Sequence, residues 1–189
     1  MRKTNKVLIA ASFLLTFSEG LFGPIYAIFV KRIGGGVLDA GFAFGLFWIL
    51  SGIFVFTLGR MRFFKENLRG MVSLGFVFMT FGAAGYLLVN SATGLFIVEI
   101  ILGIGEGLLE PAWDGLFSAD LDEQTAAASW SFWAGGKNIL LGLSAFAGSA
   151  LVATYSFTAL FVVMTVMDLT AAVLSLILVS ECLPFEFPQ

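Results

Sequence analysis

Six long apolar stretches follow one another along the chain, and short polar breaks separate them. A helix needs about 20 mostly apolar residues to cross the hydrocarbon core of a bilayer. Read by that length, the predicted spans are residues 7–30, 40–59, 70–89, 94–117, 126–153 and 157–180. The pattern therefore predicts an all-α membrane protein, in which six transmembrane helices form a single domain over residues 1–189.

Composition excludes a water-soluble fold. The 189 residues are 59% hydrophobic and 12% charged, and the mean hydropathy is +0.97. Soluble domains are about 45–50% apolar and about 25% charged, so we expect the lipid bilayer to be the solvent of this chain. The basic N-terminus precedes an apolar run that continues to Val30 without an Ala-x-Ala-like cleavage site. We therefore expect an uncleaved first span.

Lysine and arginine are distributed unevenly between the two sides of the predicted bundle. The N-terminal tail and the breaks at 60–69 and 118–125 share one side and carry seven of these residues. The three breaks on the other side carry only Lys31 and Arg32. Because positive residues are enriched in cytoplasmic loops, both termini are expected in the cytoplasm, and the expected location is a prokaryotic plasma membrane.

A short acid-to-proline sequence occurs twice. EGLFGP begins at Glu19 and EGLLEP begins at Glu106, with four of six positions identical. The copies lie in spans one and four, which cross the membrane in opposite directions because three spans separate them. This layout predicts an inverted repeat of three helices, about 7–89 and about 94–180. Chance is the alternative, but both glutamates lie near the middle of their spans, which favours a repeat.

Several ionisable residues lie inside the predicted spans. A charge at the bilayer centre is unfavourable by several kcal/mol unless it is paired or hydrated, so each one is a functional candidate. At about 100° per residue, the four acids of span four fall within a stripe about 80° wide, which must line water, a partner helix or a bound cation. The candidates for a substrate or ion pathway are Glu19, Glu99, Glu106, Glu110, Asp114 and Lys137.

Lys137 is the only basic residue deep in a predicted span, and it shares a helix face with Trp130 and Trp133. Its expected partner is Glu106 or Glu19, in the same chain or across a dimer. Such a pair could serve only to fix helix register, or it could belong to a coupling or substrate site. The surplus acids would be protonated, hydrated or cation-bound, since burial disfavours the charged form of a carboxyl group.

Asp168 lies in the middle of span six. Facing lipid would be unfavourable there, so this acid is expected either to turn inward or to lie at a subunit contact, and the sequence does not choose between the two.

Residues 98–121, VEIILGIGEGLLEPAWDGLFSADL, combine a G-x-G-x-G run with a later Pro-Ala pair and an acidic exit. Residues 59–69, GRMRFFKENLR, form a basic loop between spans two and three. On these features the chain resembles one six-helix half of the major facilitator superfamily. The loop departs from that family's Gly-x-x-x-Asp-Arg-x-Gly-Arg-Arg pattern at Phe63 and Glu66, and Glu99 stands where the family often carries an arginine.

The resemblance implies secondary transport by two such halves that rock around a central site. A lone half would need a partner, which we expect to be a second copy in a homodimer or a second half-transporter chain. A fragment of a longer protein is the rival explanation. The resemblance also implies that helices one and four line the cavity, which would place Glu19 and the acid stripe on one wall.

Prolines, glycines and tryptophans supply further candidates. Pro24 and Pro111 are expected bend points near the cavity, although simple tolerance by neighbouring helices is nearly as good an explanation. Trp48 and Trp133 are deep enough to stack on a substrate, with apolar packing as the alternative. Two glycine pairs with small-xxx-small spacing are expected at close helix contacts; they are Gly41 with Gly45 and Gly103 with Gly107. Trp113 and Trp130 are expected to be interfacial anchors because they lie toward the ends of their spans.

These features favour a half-size secondary active transporter that works as a dimer. It would be proton-coupled and would move a small solute, and the acid-rich wall favours a cationic one. The alternative is a non-transporting six-helix protein that pairs with another membrane protein. We expect no enzymatic activity, cofactor, metal or nucleic-acid partner. The chain contains no histidine, and its single cysteine, Cys182, excludes an intrachain disulfide.

Overall fold

Apolar segments of this length fold as helices because every backbone polar group must find a partner within the segment when no water is present. The computed structural model describes residues 3–119 and 121–180, so Cys182 lies outside the described residues. The α-helices are α1 (Lys3–Phe22), α2 (Tyr26–Arg32), α3 (Val37–Leu58), α4 (Arg62–Glu66), α5 (Leu68–Gly85), α6 (Ala92–Ala119), α7 (Ala126–Thr154) and α8 (Phe157–Ser180).

Six helical segments of the described chain are long and apolar enough to cross a membrane, which confirms the predicted number of spans. In the first span a 3₁₀ turn at Gly23–Ile25 joins α1 to α2, and α5 ends in a second 3₁₀ turn at Tyr86–Leu88. The short helix α4 lies in the loop between spans two and three, where the hydropathy pattern gives no signal.

The helix contacts have an internal symmetry. Helix α1 packs against α7 and α8, helix α6 packs against α3 and α5, and α5 packs against α8. The first three spans are α1 with α2, α3 and α5, and the last three are α6, α7 and α8. If the two sets are exchanged in order, the contacts of α1 with α7 and α8 become the contacts of α6 with α3 and α5. The contact between α5 and α8 stays the same. This is the arrangement that a repeat of three helices predicts.

Helices α3 and α7 lie at the outside of the bundle, where most of their surface is exposed. Their exposed side chains include Phe42, Ile49 and Phe146, which lipid can cover. The buried core instead lies between α1, α5, α6 and α8, with a concentration of aromatic rings at one end that includes Phe22 and Phe161.

The two glycine pairs differ in their surroundings. A Cβ atom at Gly103 would lie 2.8 Å from the backbone oxygen of Phe47, and one at Gly107 would lie 3.0 Å from that of Ser51, so α6 approaches α3 closely at both positions. Around Gly41 and Gly45 no other described side chain or helix comes within 4 Å of such an atom. The expected close contact is therefore confirmed on α6 and is wrong for Gly41 and Gly45 within the described chain.

Candidate functional site

Two adjoining cavities lie on one face of the bundle, which α1, α6 and α7 form together. We call the side where α1 begins the terminal side. The terminal-side cavity has a volume of about 220 Å³ and is lined by acids, one lysine and tryptophans. Its charged residues are Glu19, Glu106, Glu110, Asp114 and Lys137.

The far-side cavity lies toward the opposite ends of the same helices and has a volume of about 350 Å³. Its charged residues are Glu19, Glu99, Glu106, Lys137 and Asp168, and its aromatic residues come mainly from α3 and the first span. Three residues line both cavities: Glu19, Glu106 and Lys137. The structure thus brings all six predicted pathway residues to these two cavities and adds Asp168.

Backbone packing positions Glu19 toward the cavities. On one side of it, the Ser18 hydroxyl donates a hydrogen bond to the Met164 carbonyl oxygen of α8, at 3.4 Å. On the other side, Gly20 lies directly against the Ser144 side chain of α7. Glu19 therefore projects between the two helices that hold α1 in place.

Glu106 is positioned in the same way in the second copy. Gly105 lies against Met79 of α5, where a Cβ atom would meet the sulfur at 3.0 Å. Gly107 lies against Ser51 and Phe54 of α3. In both copies the residue before the glutamate packs against one helix, the glutamate faces the cavities, and the residue after it packs against another helix. The helices contacted in the first copy are the equivalents, under the proposed repeat, of those contacted in the second. This agreement supports the inverted repeat more directly than sequence identity does.

Glu99 is held differently from the other acids of the stripe. It is only 4% exposed, and its Oε1 atom accepts hydrogen bonds from the Tyr26 hydroxyl at 2.7 Å and the Tyr86 hydroxyl at 2.8 Å. This contact joins α6 to the first span and to the end of α5. The two tyrosines are not among the site residues predicted from the sequence. The sequence does carry a signal for them, which is a phenolic hydroxyl within an apolar run. A buried tyrosine usually finds a hydrogen-bond partner, so such a hydroxyl predicts a polar contact.

Lys137 does not form the expected ion pair with Glu106 or Glu19 within the part of the chain that the structure describes. Its Nζ atom lies 5.2 Å from the centroid of the Trp133 ring, whose face attracts a cation. The Trp133 indole donates a hydrogen bond to the Ser12 hydroxyl at 2.9 Å, which fixes the ring beside the terminal-side cavity. Lys137 therefore contributes its charge to both cavities without neutralising one particular acid by contact.

The other tryptophans and the prolines occupy distinct positions. Trp113 is 5% exposed and donates a hydrogen bond to the Leu8 carbonyl oxygen, so the expectation of an interfacial anchor is wrong for this residue. Trp48 is 52% exposed and lines the far-side cavity. Pro24 lies in the 3₁₀ turn that interrupts the first span, whereas α6 continues as an α-helix through Pro111.

Asp168 is 3% exposed and lines the far-side cavity. Of the two alternatives that the sequence left open, the structure shows the inward orientation. Its Oδ1 atom has no hydrogen-bond partner among residues 3–119 and 121–180.

Residues 8–183 match the family described as Major Facilitator Superfamily. The chain belongs to this family. It is also 30% identical over 92 residues to a Bacillus subtilis (strain 168) protein named "Uncharacterized MFS-type transporter YitZ". That match covers 47% of this chain and 53% of the relative, so it spans about half the length of each protein.

In this major facilitator protein the departures from the family pattern have specific surroundings. Phe63 is 68% exposed on α4, and the neighbouring Arg62 and Glu66 form an ion pair at 2.6 Å. The hydrogen bond to Glu66 raises the pKa of Arg62. Glu99, which stands where the family often carries an arginine, is accommodated by the two tyrosine hydroxyls.

Proposed function

We propose that this chain is a half-size secondary active transporter, rather than an enzyme, and that it works as a dimer. One observation carries the proposal: Glu19, Glu106 and Lys137 lie at the boundary between two cavities that extend toward opposite sides of the bundle. Alternating access requires a central site that each side can reach in turn. Charged residues shared by two such cavities occupy the position that this mechanism needs.

The polarity of one face of α1 and α6, which we call the open face, supports the proposal of a dimer. Glu19, Glu110 and Asp114 are exposed in the single chain, although they lie within membrane-spanning helices. Charged side chains at such depths usually face a water-filled cavity or the interior of a bundle, because exposure to hydrocarbon is unfavourable. A second copy related by a two-fold axis would close this face and enclose a hydrated pathway. A different half-transporter chain could supply the same surface.

The balance of acidic and basic side chains in the two cavities supports the proposal of proton coupling and a cationic solute. Their lining contains six acids and one lysine, so the acids must hold protons, water or a cation. In this proposal Glu19, Glu106 and Glu110 exchange protons and bind the cationic group of the solute, while Lys137 balances one acid. A carboxyl group that releases its proton when the cationic solute binds couples the movement of protons to the movement of the solute.

We further propose that the terminal side faces the cytoplasm of a prokaryotic cell and that the protein lies in the plasma membrane. Seven lysines and arginines on that side support the orientation. The bacterial relative supports the kind of cell.

Transport is tested with purified protein in liposomes that carry an imposed pH gradient and are offered a panel of labelled solutes. We expect gradient-dependent uptake of at least one cationic solute, loss of that uptake in Glu106→Gln, and normal uptake in the matched control Glu123→Gln. Glu123 is an acid in the exposed loop before α7. Absence of flux for every solute, together with a monomer after chemical crosslinking, would contradict the proposal.

A non-transporting protein that pairs with another membrane protein is the second candidate. Phe63 favours it, because the loop lacks the acid that the family places there. In that case the liposome assay would show no flux, and the purified chain would stay monomeric until its partner was added.

A further inference from the structure

Asp168 is the most enclosed acid of the far-side cavity. Its side chain is 3% exposed, and its Oδ1 atom lacks a hydrogen-bond partner in the described residues. Buried polar atoms are almost always paired, and an unpaired one is strongly unfavourable. This carboxyl oxygen lines a cavity and has no hydrogen-bond partner among the described residues, so it is available to a ligand.

The other acids of the far-side cavity are less available or less enclosed. The Oε1 atom of Glu99 already accepts two tyrosine hydroxyls, whereas Glu19 is exposed on the open face. Lys137 is the single cationic residue of this lining, and it makes no ion pair within the described chain. The cavity therefore has more acidic than basic side chains, and Asp168 lies where a ligand would be best shielded from water.

Aromatic residues form the remaining wall of the far-side cavity. Phe44, Phe47 and Trp48 project from α3, and the Trp48 ring lies 5.0 Å from Phe47 and 6.2 Å from Phe44. Aromatic faces attract cations and also cover apolar surface. The volume of about 350 Å³ lies within the range of small-molecule sites, about 300–1,000 Å³.

We propose that the far-side cavity binds an organic cation with an apolar body, in which Asp168 supplies the counter-charge and Trp48 packs against the apolar part. The inference rests on the proposed function in so far as this cation is the transported solute, but binding can be measured without transport. An organic cation fits this lining best: an anion would meet four acids and one lysine, and a neutral solute would leave the Oδ1 atom of Asp168 without a counter-charge.

The test uses equilibrium binding of 1-methyl-4-phenylpyridinium to the full chain in lipid nanodiscs at neutral pH. 4-Phenylpyridine is the matched neutral competitor and biphenyl-4-carboxylate is the matched anion. We expect the cation to bind, with both competitors at least about tenfold weaker, since a charged partner contributes more than a neutral one. Equal affinity for the neutral compound would overturn the proposal.

Substitutions at two positions separate the roles of Asp168 and Trp48. Asp168→Asn should weaken binding by about tenfold or more, because a charge-assisted contact is lost, and Asp168→Glu should retain part of the affinity. Trp48→Ala should weaken binding several-fold, by about 3- to 30-fold, and Trp48→Phe less. Glu123→Gln and Phe146→Ala are controls, since Glu123 lies in a loop and Phe146 is 80% exposed on α7. Unchanged affinity in Asp168→Asn would overturn the proposed counter-charge.

The pH profile gives a readout that a purely structural role would not change. A cation that binds to ionised Asp168 competes with a proton, so affinity should rise with pH, and Asp168→Asn should flatten that rise. The groups that share the cavity and stay unchanged in this variant are Glu19 on α1, Tyr26 on α2, Glu99 and Glu106 on α6, Lys137 on α7 and Tyr86 after α5. An identical pH profile in Asp168→Asn would assign the competing proton to one of these and would contradict the proposal.

The outcomes for binding and for transport are distinguishable. Binding of the cation without solute flux in liposomes would support the proposed far-side binding site and contradict the proposed transport function. Flux of other solutes without binding of the cation would support the proposed transport function and contradict the proposed far-side binding site.

Discussion

Among single residues, the ionisable groups within the spans differ in their exposure, and Glu106 and Lys137 are half-buried. Glu99 and Asp168 are buried, whereas Glu19, Glu110 and Asp114 are exposed on the open face. A 100° helical projection groups Glu99 with the other acids of α6 because it contains only angles within one helix. The hydroxyls that bind Glu99 and give it different surroundings belong to Tyr26 and Tyr86, which lie 73 and 13 positions away in the sequence. A projection of one helix cannot show such contacts.

The hydrogen bonds to Glu99 should contribute to stability. Tyr86→Phe removes the hydroxyl that donates to Glu99 Oε1 and keeps the ring. Hydrogen bonds inside membrane proteins contribute about 1 kcal/mol, so we expect a lower unfolding temperature in detergent. Tyr155→Phe is the matched control, because Tyr155 is 76% exposed. An equal unfolding temperature for both variants would show that the hydroxyl contact contributes nothing.

For the helical elements, hydropathy and length were sufficient to predict six spans, because the bilayer sets both. They were not sufficient to predict the 3₁₀ turn at Gly23–Ile25, which changes the hydrogen-bond pattern without changing hydropathy. Nor did small-residue spacing distinguish Gly103 and Gly107 from Gly41 and Gly45. The spacing of small residues identifies the face of a helix that a neighbouring helix could approach closely. Whether such an approach occurs depends on where α3 lies relative to α6.

The repeat predicts that equivalent glycines respond alike to substitution. Gly20→Ala would drive a methyl group into Ser144 of α7, and Gly107→Ala would drive one into Phe54 of α3. Overpacking of this kind is unfavourable by about 1–3 kcal/mol, so both variants should unfold at lower temperature.

The control for both is Gly142→Ala, because no neighbouring atom of the described chain lies within 4 Å of a Cβ there. It should leave the unfolding temperature unchanged or raise it, since alanine is the better helix former. If only one of the Gly20 and Gly107 variants were destabilised, the two helix pairs would not be equivalent.

For the whole molecule, the main feature is a polar face on a bundle whose remaining outer surface is largely apolar. Sequence placed the acids at the right depth because their positions along each span are fixed by counting residues. It could not show that α1, α6 and α7 present them on one face, since that depends on how distant helices pack. The same limitation applies to Lys137, because contact with an acid of α1 or α6 depends on how the helices pack, and its Nζ atom lies over the Trp133 ring instead.

Water should reach this polar face but not the lipid-facing one. In a Cys182→Ser background, a cysteine placed at Asp114 should react with a polar maleimide in membranes at least about tenfold faster than one at Phe146. Thiols react as thiolates, and these form only where water or a compensating charge is present. The exposed loop position Glu123 gives the upper limit for the labelling rate. Equally slow labelling at Asp114 and Phe146 would indicate that no hydrated pathway exists.

If two copies share one pathway, a defective copy should inactivate its partner. Wild-type chain and Glu106→Gln would be mixed before reconstitution at equal total protein, and uptake measured against the mutant fraction. With random pairing in a two-fold dimer, an equal mixture contains about one quarter wild-type dimers and should keep about one quarter of the uptake. Independent monomers would keep about one half. Mixing wild type with Glu123→Gln, which should lose no uptake, controls for reconstitution efficiency, and a linear decline with Glu106→Gln would refute a shared pathway.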